Sequence, residues 1–187
     1  MTRIVAGRAG GRTLKVPPRG TRPTSDRVRE ALFSRLEHRG LLDGTVVLDL
    51  YAGSGALGLE AASRGARQVV LVESARAAAE VCRQNLRTVG LTGVAVVAAT
   101  VASYLRRPPG ADGDLADLAL RDPPYEVGED DLAEVLELLA PHLAPGAVVV
   151  VERSARSPEP RWPGPDLALA DRRGYGDTTL WFAERPA

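Results

Sequence analysis

The stretch that decides the fold of this chain reads Val46-Val47-Leu48-Asp49-Leu50-Tyr51-Ala52-Gly53-Ser54-Gly55-Ala56-Leu57-Gly58. It begins as an apolar run, passes through a glycine-rich turn and continues into an alanine- and leucine-rich segment. This order predicts a buried strand, a tight loop and a helix, and the glycine spacing matches the dinucleotide-binding fingerprint. Glycines let the main chain turn sharply and let a ligand lie directly against it. The stretch therefore predicts a cofactor that contains a nucleoside.

Two carboxylates narrow the choice of cofactor. Glu73 ends the next apolar run, 20 residues beyond Gly53, where a carboxylate can accept hydrogen bonds from both hydroxyls of a ribose. Asp49, just ahead of the turn, would repel a pyrophosphate but suits a cofactor whose near end is a cationic amino acid. S-adenosylmethionine has such an end, so the sequence predicts this cofactor. The predicted cofactor-binding residues are Asp49, Tyr51, Gly53, Ser54, Gly55, Glu73, Ser74, Thr100, Val101 and Asp122.

The remainder of the chain alternates short apolar runs with helical patterns. The runs cover residues 46–48, 69–72, 94–97, 115–120 and 147–151, and the helical patterns cover 56–63, 74–89 and 129–143. Continuous apolar runs separated by helices are typical of parallel strands buried on both faces, so the predicted fold is α/β and doubly wound. We expect Ser74 to cap the second helix and Gly90 to end it. Residues 166–170 and 178–183 predict a hairpin at one edge of the sheet.

The first 40 residues form a basic N-terminal extension ahead of a domain that spans residues 41–187. Residues 3–6 and 13–16 predict a small hairpin, and Thr24 or Ser25 is expected to open a helix with an apolar stripe. The stripe would turn Arg22, Arg27, Arg29 and Arg35 toward other faces. The extension has ten basic and three acidic residues, a net charge of +7, whereas the remaining residues sum to −7. This asymmetry predicts that the extension meets a polyanion, although a merely solvated arginine-rich segment is the alternative.

A second chemical motif, Asp122-Pro123-Pro124-Tyr125, directly follows the fourth apolar run. Two consecutive prolines give a rigid turn, so the Asp122 carboxylate and the Pro123 carbonyl are expected to form a cluster of acceptors. Such a cluster can hold the hydrogens of an exocyclic amine on a nucleobase and direct its lone pair toward a methyl donor. Tyr125 would stack on the base. Arg121, immediately before this motif, would pair with an acid or reach a phosphate.

Several classes of protein are disfavoured by composition. The single cysteine, Cys82, has no partner for a disulfide within the chain, and no apolar segment has the length of a membrane span or the position of a secretion signal. We therefore expect a cytoplasmic protein, monomeric and without a metal. Both histidines lie in helical contexts and are expected at the surface.

Taken together, these motifs resemble the RsmD-type bacterial 16S rRNA guanine-N2 methyltransferases over nearly the whole chain. The resemblance rests on Arg3–Gly7 with Gly11-Arg12, on residues 22–33 (RPTSDRVREALF), on residues 49–61 (DLYAGSGALGLEA) and on Asp122-Pro123-Pro124-Tyr125. The second of these blocks is the specific one, because many amino-group methyltransferases share the glycine turn and the Asp-Pro-Pro-Tyr motif.

The resemblance implies a Rossmann-like class I methyltransferase with a seven-stranded, mostly parallel sheet whose last strand is antiparallel. It implies a guanine of 16S rRNA, free or in the small ribosomal subunit, as the substrate. Asp122, Pro123 and Tyr125 would be catalytic, and the RNA-binding residues would be Arg22, Thr24, Arg27 and Arg29. Such enzymes place an Asp or Asn after the third strand to bind adenine, where this chain offers only Thr100 or main chain.

The sequence is also compatible with three other functions. The glycine fingerprint also permits an NAD-linked oxidoreductase, although no arrangement of side chains for hydride transfer accompanies it. An amino-group methyltransferase that acts on DNA adenine or on a protein glutamine would share both motifs. A non-catalytic RNA-binding module with the same fold would keep the basic extension, and failure to bind S-adenosylmethionine would distinguish it.

Overall fold

The computed structural model describes residues 2–18, 24–111 and 113–187. These residues form a seven-stranded sheet in the order β5-β4-β3-β6-β7-β9-β8, together with a two-stranded hairpin, β1-β2. The strands are β1 Thr2–Arg3, β2 Thr13–Leu14, β3 Val46–Leu50, β4 Gln68–Glu73, β5 Val94–Ala98, β6 Ala116–Arg121, β7 Leu143–Ser154, β8 Ala168–Tyr175 and β9 Thr178–Glu184. The helices are α1 Asp26–His38, α2 Ala56–Ser63, α3 Arg76–Val89, α4 Val101–Leu105 and α5 Glu129–Leu139, which continues into a 3₁₀ turn, Ala140–His142.

The sheet has the mixed arrangement that the sequence predicts. Strands β3 to β7 pair in parallel, whereas β9 pairs antiparallel to both β7 and β8. Every residue of β3 is buried, because helices cover both faces of the central strands. The carboxyl ends of β3, β4, β6 and β7 therefore meet at one edge of the sheet, which is where ligands bind in folds of this type.

The predicted elements differ from the observed ones mainly at their ends. Gly90 ends α3 in the left-handed conformation, as expected, but Ser74 does not cap this helix. The N-cap residue is Ala75, which has no side-chain acceptor, and its N–H donates to the Glu73 carboxylate instead. The third predicted helix ends at Leu139. The short helix α4 was not predicted, because five residues are too few to show a helical period.

The N-terminal hairpin and α1 pack against the sheet. Ser25 caps α1 by accepting a hydrogen bond from the Val28 N–H. Leu14 of β2, Phe33 of α1 and Phe182 of β9 belong to one continuous buried cluster. The described part of the extension thus shares the hydrophobic core of the domain that follows it.

Two kinds of functional feature are missing from the described residues, a membrane-spanning helix and a metal-binding cluster. No helix among them has the length and apolarity that a membrane crossing requires. They also hold no group of three or more His, Cys, Asp or Glu side chains arranged to bind a metal ion. The prediction of a surface position is wrong for His142, which is buried. Its Nε2 lies 2.8 Å from the carbonyl oxygen of Leu105.

Candidate active site

The glycine turn after β3 brings the start of α2 close to the sheet. Gly55 has a φ of +81° and precedes the first residue of α2, a conformation that strains any residue with a Cβ atom. Gly58 permits contact between α2 and β4, since a Cβ atom there would lie 2.2 Å from Cδ2 of Leu71. The thiol of Cys82 donates to the carbonyl oxygen of Gly53 at 3.1 Å, and burial raises its pKa to about 12. The Cys82 side chain of α3 therefore helps to fix the position of the loop.

Two carboxylates fix the ends of this loop from inside the fold. Oδ2 of Asp49 accepts the N–H of Gly58 at 2.8 Å, and the side chain is almost completely buried. Burial and the nearby Glu73 carboxylate together raise the pKa of Asp49 to about 7, against the lowering effect of the Gly58 hydrogen bond. Glu73 accepts the N–H of Gly53 at 2.9 Å and the N–H of Ala75 at 2.8 Å. A cation bound close to Asp49 would favour ionisation of its carboxyl.

The third acid, Asp122, lies at the end of β6 beside Glu152 of β7. The hydroxyl oxygen of Thr24 lies 3.2 Å from Oδ2 of Asp122 and 2.8 Å from Oε2 of Glu152. Burial and the neighbouring Glu152 together raise the pKa of Asp122 to about 8, although the hydrogen bond from Thr24 acts to lower it. Burial also raises the pKa of Glu152. The two acids form a poorly solvated pair of acceptors with Thr24 between them.

The glycine loop and Asp122 line one cavity. Its other walls come from the N-terminal extension, which contributes Val16, Pro17, Thr24 and Arg29. Strands β3 and β6 are hydrogen-bonded neighbours, so the predicted cofactor loop and the predicted base-binding motif are adjacent. A molecule on the loop and a second molecule held by Asp122 can therefore meet in this cavity.

Arg121 fixes the tyrosine of the loop. Its guanidinium donates to the hydroxyl of Tyr51 at 3.2 Å and to the carbonyl oxygen of Leu132 at 3.2 Å, and it lies 5.2 Å from the centroid of the Tyr51 ring. Burial lowers the pKa of Arg121. The expectation that Arg121 pairs with an acid or reaches a phosphate is wrong, because the side chain is 1 % exposed and turned into the protein. Tyr51 has a φ of +65°, a conformation that its bonded ring helps to maintain.

The comparisons with known proteins agree with this geometry. The sequence family described as Conserved hypothetical protein 95 matches residues 2–184. The protein named Ribosomal RNA small subunit methyltransferase D of Escherichia coli K12 is 38 % identical over 164 residues, which cover 86 % of this chain and 79 % of that protein. The chain belongs to this RsmD-type methyltransferase family.

Solved structures of similar proteins have the same fold. A candidate methyltransferase of Escherichia coli, yhhF, superposes with a TM-score of 0.85 at 33 % identity, over 99 % of this chain and 98 % of that chain. A hypothetical protein of Thermus thermophilus superposes with a TM-score of 0.82 at 36 % identity, over 97 % and 98 % of the two chains. The chain thus has the Rossmann-like fold of the methyltransferases.

The remaining predicted site residues differ in how far they are buried. Pro123 is buried, whereas Tyr125 is 73 % exposed and free to contact a large substrate. The hydroxyl of Thr100 accepts the N–H of Ser103 as the cap of α4. The Val101 side chain belongs to the core, so only its main chain can face a cofactor. Ser74 is exposed next to Glu73.

The residues expected to face RNA separate into three groups. Arg22 lies outside the described residues. Arg27 is exposed on α1, and Thr24 points into the site toward the two acids. The expectation that Arg29 faces RNA is wrong. Its side chain is 1 % exposed and donates to the Thr2 hydroxyl, the Arg3 carbonyl and the Asp26 carboxylate.

Two residues of the site were not predicted from the sequence. Glu152 follows an apolar run as Glu73 does, and this shared pattern was a usable signal. Asn85 of α3 is buried, and its amide donates to the carbonyl oxygens of Ser54 and Lys15 and accepts the N–H of Lys15. It therefore joins the glycine loop to the N-terminal extension. Asn85 and Lys15 are 70 residues apart, so no local pattern indicates their contact.

Proposed function

We propose that this chain transfers a methyl group from S-adenosylmethionine to the exocyclic N2 of a guanine in 16S rRNA. The observation that carries the proposal is the single cavity lined by the glycine loop and by Asp122. The name of the Escherichia coli relative supports ribosomal RNA of the small subunit as the substrate. Free rRNA and the small ribosomal subunit particle are both compatible with an open cavity of this kind.

The residues around the loop fit S-adenosylmethionine. Asp49 would lie close to the cationic amino-acid end, and a nearby cation would favour its ionised form. The carboxylate oxygens of Glu73 each accept one main-chain N–H and retain a lone pair for a ribose hydroxyl. The bound cofactor supplies a methyl group activated by a sulfonium. Adenine would contact the main chain and hydroxyl of the 100–101 segment, because the family's Asp or Asn is missing there.

Asp122 would hold and deprotonate the amine. The lone pair of an exocyclic amine is delocalised into the ring, so acceptors on its hydrogens are needed to direct it toward the methyl carbon. The Asp122 carboxylate and the Pro123 carbonyl would accept these hydrogens. As the nitrogen–carbon bond forms, the carbon–sulfur bond breaks with its electron pair on sulfur, and the surplus proton of the amine passes to Asp122. The raised pKa of Asp122 suits it to accept a proton near neutral pH.

The RNA would approach over the rim of the cavity. Tyr125 would stack on the base after it leaves its helix or loop, while Arg22 and Arg27 would contact phosphates. Thr24 would act from the side of the base, because its hydroxyl already contacts both acids. Arg29 would support this surface from beneath through Asp26.

The direct test is methylation of 16S rRNA, free and as the subunit particle, with a methyl-labelled donor, followed by digestion and identification of the labelled nucleoside. We expect N2-methylguanosine. Labelled N6-methyladenosine, or label in protein or DNA but in neither form of rRNA, would overturn the proposal. Asp122→Ala should bind the donor about as tightly as the parent and lose methyl transfer. Asp130→Ala is the matched control, since this aspartate is 95 % exposed on α5 and its surface ion pair contributes little.

A second test addresses the RNA surface. Arg22→Ala combined with Arg27→Ala should weaken RNA binding and flatten its dependence on salt, with little effect on donor affinity, because fewer counterions are released. Arg67→Ala is the control, since Arg67 is exposed ahead of β4, at the opposite edge of the sheet. Equal RNA affinity and equal salt dependence in the double variant and the parent would exclude this surface.

A further inference from the structure

The parallel pairing of β6 and β7 places Glu152 next to Asp122. Arg121 pairs with Val151 in the register of these strands, so the following residues, Asp122 and Glu152, lie side by side at the carboxyl edge. Residues at one level of neighbouring strands direct their side chains to the same face of a sheet. Both carboxylates accordingly reach the same hydroxyl, that of Thr24.

Among the described residues, only the hydroxyl of Thr24 is hydrogen-bonded to the side chains of this pair. The Thr24 hydroxyl has a single hydrogen, which can serve only one of the two carboxylates at a time. The arginine that follows Glu152 does not help, because Arg153 donates to the Glu129 carboxylate and the Val127 carbonyl oxygen. Within the described residues, neither Asp122 nor Glu152 has a salt bridge. Two crowded carboxylates with so few donors favour a ligand that offers two donors side by side.

Guanine offers this pattern on its Watson–Crick edge. Its N2 amine and its N1–H are adjacent donors, whereas adenine and cytosine place an acceptor nitrogen beside their exocyclic amines. On the basis of the proposed function, we propose that Glu152 determines specificity: its carboxylate accepts the N1–H of guanine while Asp122 accepts the N2 amine. An acceptor nitrogen in place of N1–H would face the oxygens of Glu152 and repel them. Thr24 would keep the two carboxylates apart and donate to whichever is less well bonded.

The experiment changes the Watson–Crick edge of the substrate base. The target guanosine, located by the labelling experiment above, is exchanged for 2-aminopurine riboside, which keeps the N2 amine but lacks O6 and has an acceptor at N1. The parent protein should methylate the guanosine RNA at least about 100-fold more efficiently, because a site built to accept a hydrogen bond rejects a base that lacks the donor. In Glu152→Gln the preference should fall to within about tenfold, since an amide can accept from N1–H or donate to a bare N1.

Binding gives a readout apart from turnover. The fluorescence of 2-aminopurine reports its RNA complex, and Glu152→Gln should bind this RNA more tightly than the parent does. Glu137→Gln, which changes an exposed glutamate of α5, is the control and should keep the preference of the parent. Melting curves of each variant show whether it is folded.

The outcomes separate the two proposals. If the parent forms no N2-methylguanosine, the proposed function fails and this inference fails with it. If the parent forms N2-methylguanosine but methylates the 2-aminopurine RNA equally well, only the role of Glu152 is overturned, and this arm requires no variant. A folded Glu152→Gln protein that keeps the full preference for guanosine also overturns it. Loss of the preference in Glu152→Gln alone supports the assignment.

Discussion

Replacement of Asp49 by Asn should change how donor affinity depends on pH. Burial raises the pKa of Asp49 to about 7 in the protein without cofactor. A cationic amino-acid end beside this carboxylate favours its ionised form, so binding below this pKa requires the loss of a proton. Affinity should therefore rise with pH through the pKa of the free protein and level off above it. The asparagine variant keeps an acceptor for the Gly58 N–H but has no charge to titrate.

The magnitude follows from the ionised fraction. With a pKa of about 7, roughly one-eleventh of the Asp49 carboxyls are ionised at pH 6 and roughly ten-elevenths at pH 8. The ratio of the two dissociation constants, variant over parent, should thus be about tenfold larger at pH 8 than at pH 6, or about 1.4 kcal/mol. Asp122 and Glu152 titrate in both proteins, so most of their contribution cancels in the ratio.

Isothermal titration calorimetry with S-adenosylhomocysteine measures these constants without turnover, since this product keeps the cationic amino acid. Titrations at pH 6 in buffers of different ionisation enthalpy should show about one proton more released by the parent than by the variant. A ratio that stays constant between pH 6 and pH 8, or an asparagine variant that binds as tightly as the parent at pH 8, would refute the placement of Asp49 beside the cation.

Three changes should affect stability, measured by thermal or denaturant unfolding without cofactor. Gly58→Ala should lose about 1–3 kcal/mol, because its Cβ atom would lie 2.2 Å from Cδ2 of Leu71, whereas Gly174→Ala, in open space on β8, should be nearly neutral; equal losses would contradict the packing argument. Asn85→Ala should lose about 1–3 kcal/mol through the unpaired main-chain groups of the two segments it joins, and unchanged stability would exclude that link. Asp49→Asn should be more stable than the parent at pH 8 and lose this advantage as the pH falls through 7 toward 4, because the parent's carboxyl has a higher pKa folded than unfolded; a pH-independent difference would count against the raised pKa.

The central strands were predictable because burial on both faces leaves an uninterrupted apolar run. Strand β3 and its glycine turn are the clearest case, since all five residues of the strand are buried. The edge strand β8 is the opposite case. It runs from Ala168 to Tyr175, whereas the sequence placed its last residues in a connection, because exposed arginines there carry no apolar signal. These residues are in a strand because they pair with β9, which their own sequence does not indicate.

Three acids of the site could be predicted from the sequence because each follows a buried strand. Asp49, Glu73 and Asp122 all follow buried runs, and parallel pairing brings them to one edge. Thr24 could not be related to Asp122 in this way, because their contact spans 98 residues. Arg29 was misplaced for a different reason: it lies one helical turn before Phe33, on the buried side of α1, where its guanidinium finds main-chain and side-chain acceptors.

In the folded protein, ion pairs with the following domain balance part of the charge of the N-terminal extension. Arg35 and Arg39 form ion pairs with Asp171 and Glu184, which lie outside the extension, so part of the net charge of +7 is balanced within the molecule. Cations that are already paired release fewer counterions when RNA binds, and the salt dependence of binding should be shallower than a count of ten basic residues suggests. Phosphate contacts of this limited number position a substrate without selecting a base. On the proposed function, selection would come from the cavity, where the Thr24 hydroxyl contacts both Asp122 and Glu152 and a base with two adjacent donors would offer one to each acid.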